Sequence, residues 1–100
     1  MIVKKHVAGG RLILAVCDSD ISGKKFTEGK LEIDLSSNFY SGTETAADEV
    51  KKLMKSSYII NLVGKDSLKT ARELVAIDEN NVIFIQGVPH AQVLFVPLEE

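Results

Sequence analysis

The chain predicts a mixed α/β fold, with α+β as the alternative arrangement of the same elements. Three observations carry this. Two runs near the start, "IVKKHV" and "RLILAVC", flank Gly9-Gly10, and such a pair supplies the positive φ angles of a tight β-hairpin. The second half reads strand, helix, strand, the order of a βαβ unit. Between the halves lies a segment whose apolar residues recur at helical spacing. The expected architecture is an N-terminal hairpin plus a third strand, then a helix and a C-terminal βαβ–β unit. Together they make five to six strands, in one mixed sheet or two packed sheets, with two main helices on a face. One hundred residues correspond to a single domain, residues 1–100, which buries roughly two thirds of its unfolded surface.

Each element has its own justification. Leu12 to Cys17 is apolar on both faces, so this strand is expected to be central. The first strand keeps Lys4, Lys5 and His6, so it meets water on one face or lies at an edge. "DSDISGKKFTEG" is rich in turn formers, with Ile21 and Phe26 as anchors to the core. "KLEIDLS" alternates, placing Leu31, Ile33 and Leu35 inward and Glu32 and Asp34 outward. After the loop "SSNFYSGTE", Thr45 with Asp48 resembles a capping box for a helix whose apolar stripe is Ala46, Val50, Leu53 and Met54. Its acids (Glu44, Asp48, Glu49) lie at the positive end of the helix dipole and its lysines (Lys51, Lys52, Lys55) at the negative end. "YIINLVG" reads as a buried strand ending in glycine. "KDSLKTARELVAI" reads as a helix capped by Asp66, with Leu68, Ala71, Leu74 and Val75 inward. "VIFIQG" reads as a second buried strand, parallel to the first and beside it, with a right-handed crossover. "QVLFV" returns antiparallel through the loop "GVPHA", and Pro97 ends it.

Composition excludes several classes of function. An apolar content of 45% with 26% charged residues is that of a folded globule. The net charge of −2 gives no global field toward nucleic acid, so any RNA contact needs a local basic patch. One cysteine excludes an internal disulfide and a multi-cysteine zinc site, and fits a reducing cytoplasm. "MIVKKHVAGG" does not read as a signal peptide, and "RLILAVC" falls far short of the ~20 apolar residues of a membrane helix. Nothing points to a cofactor.

The candidate site residues cluster late in the chain. In "NLVGKDS", Gly64 ends a strand at a helix N-terminus, where unpaired N–H groups attract anions and Lys65 adds charge. The competing reading is that Asp66 satisfies those groups itself. The phosphate-loop and dinucleotide spacings are absent. Asn61 interrupts an apolar run, and a buried amide without partners costs roughly 1–3 kcal/mol. It either ties down a neighbouring loop or orients a ligand. In "GVPHAQ", Pro89 fixes φ and lacks an N–H, so the expected loop is stiff. His90 then has three readings: acid/base, RNA-base contact, or a lock onto a backbone carbonyl. If the two strands are parallel neighbours, Gly64, Lys65, Gly87 and His90 converge at their carboxyl edge, where open α/β sheets bind ligands. "CDSD" offers a thiol to His90, against the plainer reading of a buried cysteine before turn residues. His6 pairs with Ile13 in the expected hairpin. That leaves Cys17 roughly 13 Å away and excludes a shared metal. "GKKF" exposes Lys24 and Lys25 beside Phe26, a modest RNA cue.

Taken in order, "AVCD", "GKKF", the "FY" pair with its following glycine, "NLVG" and "VPHAQ" resemble the short archaeal proteins known as domain of unknown function 424. The resemblance covers essentially the whole chain. This chain departs from it in having Ser41-Gly42 where two glycines are expected. The resemblance implies an archaeal, stand-alone, cytoplasmic protein and carries over no catalytic residue.

The sequence thus leads to a non-enzymatic module contacting RNA or a ribonucleoprotein in the translation or RNA-processing apparatus. The expected contacts are Asn61, Gly64, Lys65, Pro89, His90 and Gln92, aided by Lys24 and Lys25. The alternative is a small enzyme for a phosphorylated or nucleotide-like substrate, with His90 as acid/base and the Gly64–Asp66 helix start as anion cradle. A third reading is a structural subunit or homodimer paired through the first strand. No membrane partner is expected.

Overall fold

The structure, a computed structural model, describes residues 1–95; Pro97 lies outside them. Eight strands and two α-helices follow the order β1 (Ile2–Ala8), β2 (Arg11–Cys17), β3 (Lys25–Glu28), β4 (Leu31–Asp34), β5 (Thr43–Glu44), α1 (Ala47–Lys55), β6 (Ile59–Val63), α2 (Lys65–Arg72), β7 (Ile83–Ile85) and β8 (Val88–Leu94). Six strands form one mixed sheet in the order β5-β1-β2-β6-β8-β7, and β3 and β4 form a separate two-stranded sheet. The mixed α/β expectation holds.

The hairpin forms as the glycine pair requires. Gly9 and Gly10 both have positive φ, and His6 stands opposite Ile13. β2 is central, between antiparallel β1 and parallel β6. β1 is neither free nor fully paired, because β5 covers only Ile2 and Val3. The turn-rich "DSDISGKKFTEG" is more ordered than expected. It contains a short 3-10 helix (Ser19–Ile21) and then β3, which pairs with β4 across Gly29-Lys30. Leu31 is exposed at the end of that hairpin, whereas Ile33 and Leu35 are covered.

The expected adjacency of "NLVG" and "VIFIQG" is corrected. β6 and β7 run in the same direction, but β8 lies between them, antiparallel to both. Gln86 (φ +52°) and Gly87 (φ +79°) form a two-residue turn with positive φ at both positions. That turn brings the chain straight back, so β8 takes the place against β6. β7 becomes a three-residue edge, with Phe84 58% exposed, not a buried strand.

The helix caps also differ. Thr45 does not cap α1. Its hydroxyl donates to the Thr43 carbonyl (2.8 Å), and the helix begins after Ala46 without a side-chain cap. Of the expected charges, Asp48 and Glu49 occupy its first turn and Lys52 and Lys55 its last, whereas Glu44 belongs to β5 and Lys51 lies mid-helix.

Strand alternation divides the packing in two. On one face Leu14, Val16, Ile60 and Leu62 pack against Val50 and Met54 of α1, Leu68 and Ala71 of α2, and Val75 just beyond it. On the other face Ala15, Cys17 and Val63 meet Leu35 and Tyr40, flanked by Ile21, Phe26 and Ile33. This second cover extends over only part of its face. Gln92 and Leu94 remain exposed and Ile13 and Ile59 half-buried.

Candidate functional site

The carboxyl edge of β2 and β6 is where the sequence places a ligand site. Parallel register sets Cys17 beside Val63, so the next residue, Asp18, faces the start of α2. Its N–H donates to the Val63 carbonyl (3.0 Å). Its carboxylate accepts from the Asp66 N–H (3.0 Å), the Ser67 N–H (2.8 Å) and the Ser67 hydroxyl (2.7 Å). The free donors and positive dipole of the helix end are therefore occupied by a carboxylate of the protein itself. Asp66 is not the cap; its own N–H is one of the groups being capped. Gly64 does permit a close approach, but the approaching group is Asp18. A Cβ there would overlap that carboxyl, and the residue sits at φ +109°.

Pro89 lies inside β8, not in a loop. The Gly64 N–H donates to the Pro89 carbonyl (2.8 Å). A residue with an N–H at position 89 would direct it back toward the Gly64 carbonyl. That carbonyl already accepts the first α2 bond, from the Leu68 N–H (3.1 Å). Proline thus stands in an internal strand at a place where a donor has no role.

His90 is half-buried, and its Nδ1 lies 3.1 Å from the Leu62 carbonyl. A carbonyl only accepts, so Nδ1 carries the proton. This geometry is the lock onto backbone, one of its three readings. Cys17 and His90 stand on either side of Val63 in the register, roughly 10 Å apart. Burial, and then the neighbouring Asp18 charge, push the thiol up to about 11. The two do not form a thiolate–imidazole pair.

A cavity of about 160 Å³ opens at this edge, lined by Asp18, Asp20, Ile21, Gly64, Lys65, Gly87, Val88 and Pro89. Gly64, Lys65 and Gly87 thus converge as expected, but His90 is not part of the lining. A wider groove of about 700 Å³ lies beside it and carries Asp20, Glu44, Asp66 and Glu73 against Lys69 and the Met1 ammonium, which pairs with Glu44 (2.6 Å). Its charge disfavours an anionic substrate. Lys24 is exposed, and Lys25 begins β3, where it pairs with Glu32 (3.6 Å); neither lines this edge cavity. Among the described residues no cluster of three metal-ligating side chains occurs.

The open half of the sheet face has a different character. Asn61 and Gln92 are direct partners across β6 and β8, on the face opposite the helices. Asn61 is 8% exposed, and among the described residues its amide forms no hydrogen bond, nor does it tie down a loop. No fully buried side-chain nitrogen or oxygen among those residues lacks a partner. The Asn61 amide therefore reaches the surface. Along the same row Ala15 and Lys4 come next, and the Lys4 ammonium donates to the Asn38 carbonyl (2.7 Å). In the next row His6 stacks flat on Phe39 (centroids 4.5 Å apart, planes at 7°), with Nε2–H donating to the Phe39 carbonyl (2.9 Å). The Phe39 residue keeps 36% exposure. Tyr40 turns inward beside it, edge-on, and Gly42 passes so close to the Val3 carbonyl that a Cβ would overlap it.

The strands β1, β2, β6, β7 and β8 contain Lys4, Lys5, His6, Arg11 and His90 and not one Asp or Glu. The negative net charge resides elsewhere. The His6–Phe39 stack is absent from the sequence-based expectations, although an alternating strand with a histidine and an aromatic pair in a loop are both visible in the sequence.

Comparison with known proteins agrees with this fold. A family model described as protein of unknown function (DUF424) matches residues 6–96. A crystal structure of an uncharacterized conserved protein from Methanopyrus kandleri superposes with a TM-score of 0.74. The two share 23% identity, over 99% of this chain and 94% of that one, which establishes a common fold. No curated protein matches the chain.

Proposed function

The chain belongs to the family described as protein of unknown function DUF424, and from that premise we propose that it is a non-enzymatic module of the archaeal cytoplasm. It binds RNA, free or displayed on a ribonucleoprotein, through the open half of its sheet. One observation carries this reading: on a sheet face whose strands β1, β2, β6, β7 and β8 hold no carboxylate, a flat, partly exposed aromatic stack lies within about 10 Å of an amide pair. Unpaired bases are held by such means, stacking on aromatic rings and hydrogen bonding along their edges. Lys24 and Lys25 on the hairpin add backbone contacts at the rim. The enzyme reading loses its anion cradle to Asp18 and its concave pocket around His90.

The test is binding of the purified protein to total archaeal RNA and to ribosomal subunits at low and moderate salt. Salt-sensitive binding is expected. It should weaken about tenfold in Phe39→Ala, as base stacking on an aromatic is worth roughly 1–3 kcal/mol. It should persist in His90→Ala, because that ring is engaged with Leu62. Lys24→Ala/Lys25→Ala should weaken binding modestly and flatten its salt dependence. No binding at low salt overturns the proposal.

A second reading, a homodimer through β1, has one observation in its favour. β5 covers only Ile2 and Val3, leaving the outer edge beyond Lys4 open among the described residues, with Val7 76% exposed. The solution mass decides it.

A further inference from the structure

We infer that the Asn61–Gln92 pair reads the edge of an unpaired adenine while another base of the same strand stacks on Phe39. This rests on the RNA reading above and gives it a base preference. Asn61 is an oddity of the sheet: it occupies the middle of a strand that is otherwise Ile, Ile, Leu and Val. A polar residue there is expected to be satisfied by the fold. Instead its amide has no protein partner among the described residues and reaches the surface. Its cross-strand partner is a second primary amide, Gln92, which is exposed. On the other side the row continues with Ala15, whose small side chain leaves the floor low. Directly opposed residues hold their Cβ atoms about 5 Å apart, so the two amides form one polar strip.

A primary amide offers one donor and one acceptor side by side, and the complementary edge carries one of each. Adenine presents that combination twice, at N6 with N1 and at N6 with N7. Guanine matches the amide through O6 and N1–H on its pairing edge, but its N7 edge offers two acceptors, which calls for a cation. The pyrimidines have the matching combination on their pairing edge alone. Adenine also has the larger ring system for stacking. The surroundings suit a polyanion: Lys4 lies in the same row, and β1, β2, β6, β7 and β8 contain no carboxylate. His6 and Phe39 lie two strands from Asn61, roughly 10 Å away laterally. An extended single strand spans that distance between bases that are not immediate neighbours.

The experiment measures fluorescence anisotropy of end-labelled oligoadenylate, oligouridylate and oligocytidylate at low salt. It compares the wild type with Asn61→Leu, Gln92→Leu and Phe39→Ala, each checked for native circular dichroism. Wild type is expected to bind oligoadenylate ~10-fold more tightly than the other two, the scale of one bidentate base contact. Asn61→Leu and Gln92→Leu should retain binding but bring the three oligomers to within about twofold of one another. Phe39→Ala should weaken all three alike. Equal binding of the three by wild type, a pyrimidine preference, or an adenine preference that survives both leucine variants overturns this inference and leaves the RNA reading standing. Failure to bind any oligomer, together with no binding to total RNA, overturns both.

Discussion

The carboxyl edge and the open face share strands β2 and β6, yet they treat polar groups in opposite ways. At the edge, Asp18 meets three donors, Gly64 gives its N–H to Pro89 and its carbonyl to Leu68, and His90 is fixed on Leu62. On the face, Asn61 and Gln92 stand opposite each other, and among the described residues neither amide is engaged by the fold. A histidine, a glycine-bounded helix start and a proline attract notice in a sequence, and here the fold engages each of them. The residue that looks merely misplaced, Asn61, is the one left available. Polar residues that the fold consumes should cost stability when changed; polar residues that it leaves over should not.

The largest effect should come from Asp18→Ala. It leaves two backbone donors of α2 and the Ser67 hydroxyl without their acceptor, at a site 7% exposed. A loss of about 2–4 kcal/mol in urea unfolding is expected, with RNA binding of the folded protein unchanged. A small loss would mean that solvent satisfies the helix end. Gly64→Ala should cost about 2–3 kcal/mol, combining a positive φ with the collision against Asp18. In an Asp18→Ala background the collision is gone and only the φ cost, about 1–2 kcal/mol, should remain. Strictly additive costs would show that the two do not act on one another.

The covered part of the same face can be probed by pH. Burial pushes Cys17 from 9.0 up to about 11, and burial followed by the Cys17 charge pushes Tyr40 from 10.0 up to about 12. Both groups are neutral when protonated, and the folded state holds those protons more tightly. Their contribution is therefore fully present below pH 9 and is lost as pH rises from about 9 to 12. Stability should fall by about 2 kcal/mol or more across that window, and less steeply in Cys17→Ala/Tyr40→Phe. The native thiol should resist alkylation at pH 8. Rapid labelling would mean that the hairpin and the Phe39 loop do not seal this part of the sheet.

Pro89→Ala should cost about 1 kcal/mol, although alanine is ordinarily the easier residue in a strand. It introduces an N–H whose counterpart, the Gly64 carbonyl, is already engaged by Leu68. A gain in stability would show that this carbonyl accepts two donors.

The alternating and helical patterns made most of the architecture legible. The Gly9-Gly10 hairpin, the central β2, the inward positions of both helical segments apart from Ala46, which is exposed and precedes α1, and the dipole placement of Asp48, Glu49, Lys52 and Lys55 all arise from local periodicity and turn chemistry. Three features do not, each for the same reason. The cap on α2 comes from Asp18, 48 residues upstream of Asp66. The order of β6, β8 and β7 depends on which strand takes the place against β6, and "VIFIQG" is as apolar as a central strand. The His6–Phe39 stack joins residues 33 apart. Non-local pairing decides them all, and no short window of sequence contains it. The expected convergence of Gly64, Lys65 and Gly87 did occur, because parallel direction alone places strand ends together.

The smallest expected effect is also the one that separates the two regions most cleanly. Asn61→Leu replaces a nearly buried amide with an apolar side chain of similar size. If the amide served the fold, as Asp18 does, the change would strand a partner and cost more than about 1 kcal/mol. No such partner exists among the described residues, and the neighbours Ala15, Ile59 and Val63 are apolar. The substitution should therefore be neutral or stabilising by roughly 0.5–1 kcal/mol, through recovered apolar burial. A strand that would fold better with leucine but keeps asparagine pays in stability for something other than folding. Thermal and urea unfolding of this one variant, set beside Asp18→Ala, test whether the open face is a site or merely an uncovered part of the sheet.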